Sequence, residues 1–261
     1  MIKGIIFDLD DTLTVHDDLY DFNYLKTIKT FFPDFNMENN EILKIMIDTI
    51  DYIGSKKYFS DYLDAKFGGR DILWADCGGF GEIARHLKEV HIEAQNEMWV
   101  NILKNLGITN TKININTLIN KYKFFMWDGI KSFDDVIPTL TKLKKYKLGI
   151  LTNGMQLHQR KKISISGLLS FFSTKNSEIV TSSECLEGKP YSKPYKYICK
   201  KLSLDLNEII MVGDTLDGDI LGAQKLNIKN VLINRKNNLK EQSIKPDHVI
   251  NSLRDLMSII E

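Results

Sequence analysis

Cysteine is scarce in this sequence: Cys77, Cys185 and Cys199 are the three present, and no two of them form a CxxC pair. So sparse and odd a set argues against a disulfide framework and for thiols kept reduced in a cytosol-like compartment. The five histidines show no ligand spacing, which speaks against a zinc site. An excess of one charge is also missing. Lys and Arg number 35 against 34 Asp and Glu, a net charge of +1, so nothing in the balance points to nucleic acid or a membrane surface as partner. No apolar run approaches the roughly 18 residues that a membrane span requires. Met1-Ile2-Lys3-Gly4 leads straight into a short apolar run and then into acids, unlike a signal peptide. The reading is a soluble, cytoplasmic chain without internal repeats or low-complexity segments.

What is present fits a globular protein with a sizeable core: 43% of the residues are hydrophobic and 26% charged. At 261 residues the chain exceeds one average domain, so a core with a smaller second domain is expected. Short apolar runs recur at Ile5-Ile6-Phe7, Leu148 to Thr152, Ile209 to Gly213 and Asn230 to Asn234. Strands buried on both faces of a parallel sheet read this way. Helical patterns lie between them, at Asp134 to Tyr146, Pro194 to Leu202 and Gly218 to Leu226. The alternation predicts an α/β fold, a Rossmann-like doubly wound parallel sheet. Three runs end in polar residues, Asp8, Thr152 and Asp214, and ligands of such sheets bind outside the carboxyl ends of the strands.

Between the first run and the rest, the pattern turns helical: Tyr20 to Phe32, Glu38 to Ile53, Tyr58 to Phe67, Glu82 to Leu106 and Ile113 to Phe125. A helical block interrupting an α/β core is best read as an inserted domain. The expected division is a core of 1–16 and 128–261 with a helical cap of 17–127, joined by hinges near 15–19 and 126–131 whose closure would exclude water. The glycines of 78–81 lack the Gly-Lys-Ser/Thr ending of a phosphate loop and read as a tight turn.

The chemistry gathers at the strand ends. In Asp8-Leu9-Asp10-Asp11-Thr12, Asp8 and Asp10 are two residues apart and can face one polar centre. Such a pair suits a hard cation, or a nucleophile with an acid/base partner. Thr152-Asn153-Gly154 offers a hydroxyl and loop amides for phosphate oxygens. Gly213-Asp214 through Asp219 adds carboxylates, and either Lys189 or Lys193 supplies a compact positive charge.

In this order the segments resemble the four motifs of the haloacid dehalogenase superfamily: Phe7 to Leu13, Leu151 to Gly154, Gly188-Lys189-Pro190 and Gly213 to Asp219. Leu151 to Gly154 followed by Gln159 and Lys162, with Met211 to Leu216 and then Asp219-Ile220, is most similar to the N-acylneuraminate-9-phosphatase-like group; nucleotide 5′-monophosphatases share much of it. The resemblance implies a Mg²⁺-dependent phosphomonoesterase acting on a small phosphate ester, a sugar phosphate before a nucleotide. Asp8 would form an aspartyl-phosphate and Asp10 would serve as acid and base. Asp8, the Asp10 carbonyl and Asp214 would hold the magnesium. Thr152, Asn153 and Lys189 would bind phosphate, with Asp219 orienting from behind. Lys189 fits the family spacing better than Lys193. Asp10 itself favours phosphate over carbon–halogen chemistry, because the dehalogenases of this superfamily carry an aromatic residue there. A phosphotransferase or mutase of the same superfamily, or a non-catalytic phospho-accepting module, are the rival readings. Lys56, Lys57, Tyr58, Arg70, Trp74, Arg85 and His91 are candidate substrate contacts in the cap, although for any one of them a solvated helix face or cap packing is the favoured reading.

Overall fold

A computed structural model describes residues 1–16, 19–59, 70–75, 82–109, 112–237 and 243–260, without the side chains of 55–57, 70–71 and 82–86. In chain order, β1 (Gly4–Phe7) is followed by α1 (Leu19–Phe31), α2 (Asn39–Asp51), α3 (Glu82–Asn105) and α4 (Ile115–Phe125). Then come α5 (Val136–Lys142), β2 (Lys147–Thr152), α6 (Gln156–Ile165), β3 (Ser177–Thr181), α7 (Ser192–Leu202), β4 (Ile209–Gly213), β5 (Lys229–Ile233) and β6 (His248–Ile250). All pairings are parallel, in the order β3-β2-β1-β4-β5-β6. This is the doubly wound, Rossmann-like order, and its switch point lies at β1, between β2 and β4. Among the described residues no helix is long and apolar enough to cross a membrane.

The sheet is buried on both faces because successive side chains alternate. Ile5 and Phe7 join Val136, Leu140, Ile150 and Val212 on one side. Ile6 joins Leu151, Met211 and the apolar stripe of α7 on the other. That stripe, Tyr195, Ile198, Cys199 and Leu202, follows the i, i+3, i+4, i+7 spacing of one helix face, while Lys193, Lys196, Lys200 and Lys201 face solvent. Ser203 ends α7 in the left-handed region, at φ 52°.

The four strands expected from the sequence are present, and the Asp134–Tyr146 and Pro194–Leu202 patterns form α5, shorter at both ends, and α7, which starts two residues earlier at Ser192. The Gly218–Leu226 pattern resolves into a π-turn, Leu216–Ile220, and a short helical turn, Leu221–Gln224. Two strands lie outside the sequence reading. β3 carries Ser and Glu among its five residues, and β6 is a three-residue edge strand with two exposed positions, so neither leaves an apolar run. The expected helix from Tyr58 to Phe67 falls almost wholly outside the described residues, as do the glycines of 78–81 and Cys77.

Compactness divides the chain into two units: Met1–Val15 with residues from Ile130 onward, and the described residues from His16 to Gly129. The second unit is helical. Its interior is aromatic: Tyr24 stacks on Tyr122 at 4.0 Å, Trp74 lies 4.4 Å from Tyr122, and Trp99 is fully buried beside them. Such pairs add about 0.5–1.5 kcal/mol each beyond the burial of their area.

Candidate active site

β1 delivers Asp8 to the carboxyl edge of the sheet. Its amide still donates to Val212 O at 2.9 Å, extending the ladder by one residue. The chain then turns back at once. Asp11 takes a left-handed φ of 56°, its amide donates to Thr14 O at 2.8 Å, and Leu13 and Thr14 both donate to Leu9 O. A short polar side chain tolerates that conformation better than a branched one, which suits the second Asp of the Asp-Asp pair.

Around Asp8 the other strand ends contribute charge. Lys189 is buried, and its Nζ donates to both Asp8 Oδ1 and, at 2.6 Å, Asp219 Oδ1. Asp219 is fully buried, and its second oxygen accepts from the Thr215 amide at 3.0 Å and the Thr215 hydroxyl at 2.6 Å. Lys193, by contrast, is exposed on α7. Tyr195 fixes the Asp219 turn from below, donating to the carbonyls of Gly218 and Asp219 at 3.0 and 3.1 Å.

Carboxylate oxygens of Asp8, Asp214 and Asp219 lie within 4.8 Å of one another. Burial pushes the Asp8 carboxyl up to about 7; the Lys189 ammonium pulls it down, and Asp219 and Asp10 add to the rise. Asp214 is raised well above the usual carboxylate range, first by burial and then by Asp8, Asp219 and Asp11. Burial disfavours the Lys189 ammonium, yet Asp219 and Asp8 outweigh it and hold its pKa above that of an ordinary lysine. One lysine therefore does not neutralise the cluster. An all-oxygen donor set with surplus negative charge fits a hard divalent cation.

Asp10 belongs to a neighbouring network. Its carboxylate accepts from Gln159 Nε2 at 2.9 Å and from Lys162 Nζ at 3.0 and 3.2 Å. Gln159 Nε2 also donates to Thr152 Oγ1 at 2.6 Å, so Asp10 and Thr152 share one donor. Asn153 lies beside them with its amide turned to the third motif: Nδ2 donates to Lys189 O at 3.1 Å, and Oδ1 accepts from the Lys189 amide at 2.8 Å. That reciprocal pair precedes the cis Lys189–Pro190 peptide bond.

A third chain of contacts supports the loop after Asp8. Arg235, just past β5, donates twice to Thr12 O, at 3.0 and 2.7 Å, and to Asp135 Oδ2 at 3.1 Å. The Thr12 hydroxyl in turn donates to Asp214 Oδ1 at 3.1 Å.

The structure thus brings Asp8, Asp10, Thr152, Asn153, Lys189, Asp214 and Asp219 to one edge of the sheet. Gln159 and Lys162 enter the sequence reading only as family marks, without a role, and Arg235 leaves no signal there at all. In the helical unit, Tyr58 is placed against Glu93 and Glu97, Trp74 donates to the Tyr24 hydroxyl, and His91 is buried beside Phe59. These three are engaged in that unit's own packing. The side chains of Lys56, Lys57, Arg70 and Arg85 lie outside the described residues.

A family model of haloacid dehalogenase-like hydrolases matches residues 2–227. The chain is 28% identical to the glyceraldehyde 3-phosphate phosphatase of Methanocaldococcus jannaschii, over 100% of this chain and 98% of that protein. It is 30% identical to the N-acylneuraminate-9-phosphatase of Homo sapiens, over 53% of this chain and 57% of that one. Among solved structures, a HAD phosphatase from Thermococcus onnurineus shares the fold at a TM-score of 0.61 and 23% identity, covering 99% of this chain and 98% of its own. With the parallel sheet, the acid-rich strand ends and a family match over most of its length, the chain belongs to the haloacid dehalogenase-like hydrolases.

Proposed function

We propose that this protein is a magnesium-dependent phosphomonoesterase for small phosphorylated metabolites, sugar phosphates foremost, working through an aspartyl-phosphate on Asp8. The observation that carries the reading is the buried Asp8 carboxylate beside Lys189, with Asp214 and Asp219 close by and Asp10 in the adjoining network. The full-length relative named for a phosphorylated three-carbon aldehyde and the partial relative named for a phosphorylated sugar acid both support a small sugar-like ester.

In the first step an Asp8 oxygen attacks phosphorus, the bond from phosphorus to the leaving oxygen breaks, and Asp10 gives that oxygen its proton. In the second, water attacks the phosphorus of the acyl phosphate, its proton passes to Asp10, and the bond from phosphorus to the Asp8 oxygen breaks. Inorganic phosphate departs with Asp8 and Asp10 restored. Lys189 and the Thr152 hydroxyl meet the phosphate oxygens; Asn153, whose amide is occupied by Lys189, contributes its backbone N–H. Asp219 holds the Lys189 ammonium in place. Asp8, Asp214 and the Asp10 carbonyl would hold magnesium, which when bound supplies positive charge to oppose the repulsion between the acids and a phosphate dianion. The two-domain reading belongs to the same proposal: residues 1–16 and 128–261 carry the chemistry, and the helical cap of 17–127 selects the alcohol that leaves.

The test is Asp8→Asn. The expected result is loss of phosphate release from para-nitrophenyl phosphate by at least about a thousandfold, on the scale of removing an essential covalent nucleophile. Acid quench of the native enzyme during turnover of labelled substrate should leave label on the protein, and the variant should retain none. Undiminished turnover in the variant removes Asp8 from the nucleophile's role.

A further inference from the structure

The helix α6 breaks the usual rule for a helix packed on a sheet. Its buried residues are His158, Gln159, Lys162 and Ile163, so three of the four positions turned inward are polar. Lys162 is fully buried, which is costly for an ammonium group. Replacing a buried ion pair by apolar residues of like volume is often neutral or stabilising, so stability alone does not account for placing one here.

The partners account for it better. Lys162 lies within hydrogen-bond distance of both oxygens of Asp10, and Gln159, one turn earlier on the same face, reaches Oδ2 of the same carboxylate. Gln159 simultaneously donates to Thr152 and makes a longer contact, 3.4 Å, to Asn153 O. Its approach depends on Gly154. At φ 147° this glycine has a backbone that side chains rarely adopt, and a Cβ there would sit 3.0 Å from Gln159 Cγ and Cδ. The Thr152-Asn153-Gly154 turn is thus shaped to admit the glutamine that joins Thr152 to Asp10.

We infer that Lys162 and Gln159 are positioning residues for Asp10, a two-donor grip from α6 that fixes its carboxylate relative to the phosphate-binding hydroxyl of Thr152. Neither meets the reacting atoms; both act by holding the group that does. The inference rests on the proposed role of Asp10 as proton donor to the leaving oxygen. Its consequence is specific to that step. An ester whose leaving oxygen departs unaided as an anion gains little from a well-placed acid. One that leaves as an alkoxide depends on it, and general-acid catalysis is worth about 10²–10⁴-fold.

The experiment compares kcat/KM for para-nitrophenyl phosphate and for glycerol phosphate in the native enzyme, Asp10→Asn, Lys162→Met and Gln159→Met. Because kcat/KM stops at formation of the phosphoryl-enzyme, the later hydrolysis does not enter. Asp10→Asn should lose far more on glycerol phosphate than on the aryl ester. Lys162→Met and Gln159→Met should repeat that bias in weaker form, the alkyl value falling at least about tenfold further than the aryl value, on the scale of a misplaced catalytic group. If Asp10→Asn shows no bias, the assignment of Asp10 is wrong. If it is biased while both α6 variants lower the two substrates equally, or neither, then Asp10 stands and the positioning role is overturned. Gln159→Met keeps the buried Lys162–Asp10 pair, so it decides between these outcomes even if Lys162→Met does not fold.

Discussion

Gly213, the last residue of β4, has no room for a side chain: a Cβ there would fall inside the Asp219 carboxylate. Its absence is what lets Asp219 lie against the strand end and present Oδ1 to Lys189. Gly213→Ala should therefore cost about 1–3 kcal/mol, as overpacking of a dense interior does, and it should also push Asp219 off the lysine. The expected outcome is a lower melting temperature together with a loss of phosphatase activity larger than the stability loss explains. At this scale the acids and Thr152 were legible because their motifs sit directly after apolar runs. The choice of lysine was harder, since Lys189 and Lys193 each precede a proline. What separates them is burial: Lys189 lies among carboxylates and Lys193 in solvent. Asn153 is in the expected segment but spends its side chain on the Lys189 backbone, a pairing between residues 36 positions apart that no local pattern records.

Among the elements, α7 could be read from its apolar stripe, and α6 could not. A helix that turns His158, Gln159 and Lys162 inward beside Ile163 lacks the periodicity that reveals a packed helix, because Gln159 and Lys162 reach the site. β3 was hidden by the Ser and Glu that break its apolar run, and β6 by its three-residue length and exposed edge, rather than by function. In the helical unit, α3 carries a histidine whose surroundings predict a pH effect. Burial pushes His91 down to about 4, against a backbone hydrogen bond with Ile72 that favours the charged form, while Lys123 adds to the fall. The unfolded chain, with His near its ordinary value of about 6.5, takes up this proton first as pH falls. The contribution of His91 to stability is therefore whole above about 6.5 and declines toward pH 4, by up to about 1.4 kcal/mol per pH unit. Melting temperatures of the native protein and His91→Gln, measured across that range, should converge as pH falls, since the glutamine has no proton to bind. Parallel curves contradict the buried neutral imidazole.

For the molecule as a whole, the surplus of acid at the sheet edge predicts that folding is coupled to a cation. Burial and mutual repulsion raise both Asp8 and Asp214, and any ion that relieves this in the native state stabilises it by mass action, about 2.7 kcal/mol at a hundred times its Kd. Magnesium should raise the melting temperature of the native protein. Asp214→Asn should weaken that response, and chelation should reverse it in the native protein. A magnesium-insensitive melt removes the metal from the proposal. The sequence by itself determined the parallel α/β core, its helical interruption and the polar residues at three strand ends, because apolar period and motif spacing are local properties of a chain. Only the tertiary structure decided which lysine meets Asp8, that α6 turns a lysine and a glutamine onto Asp10, and that Arg235 reaches the Thr12 carbonyl. Those contacts join residues from 149 to 223 positions apart, and a side chain's burial and partners are set by what the rest of the fold packs around it.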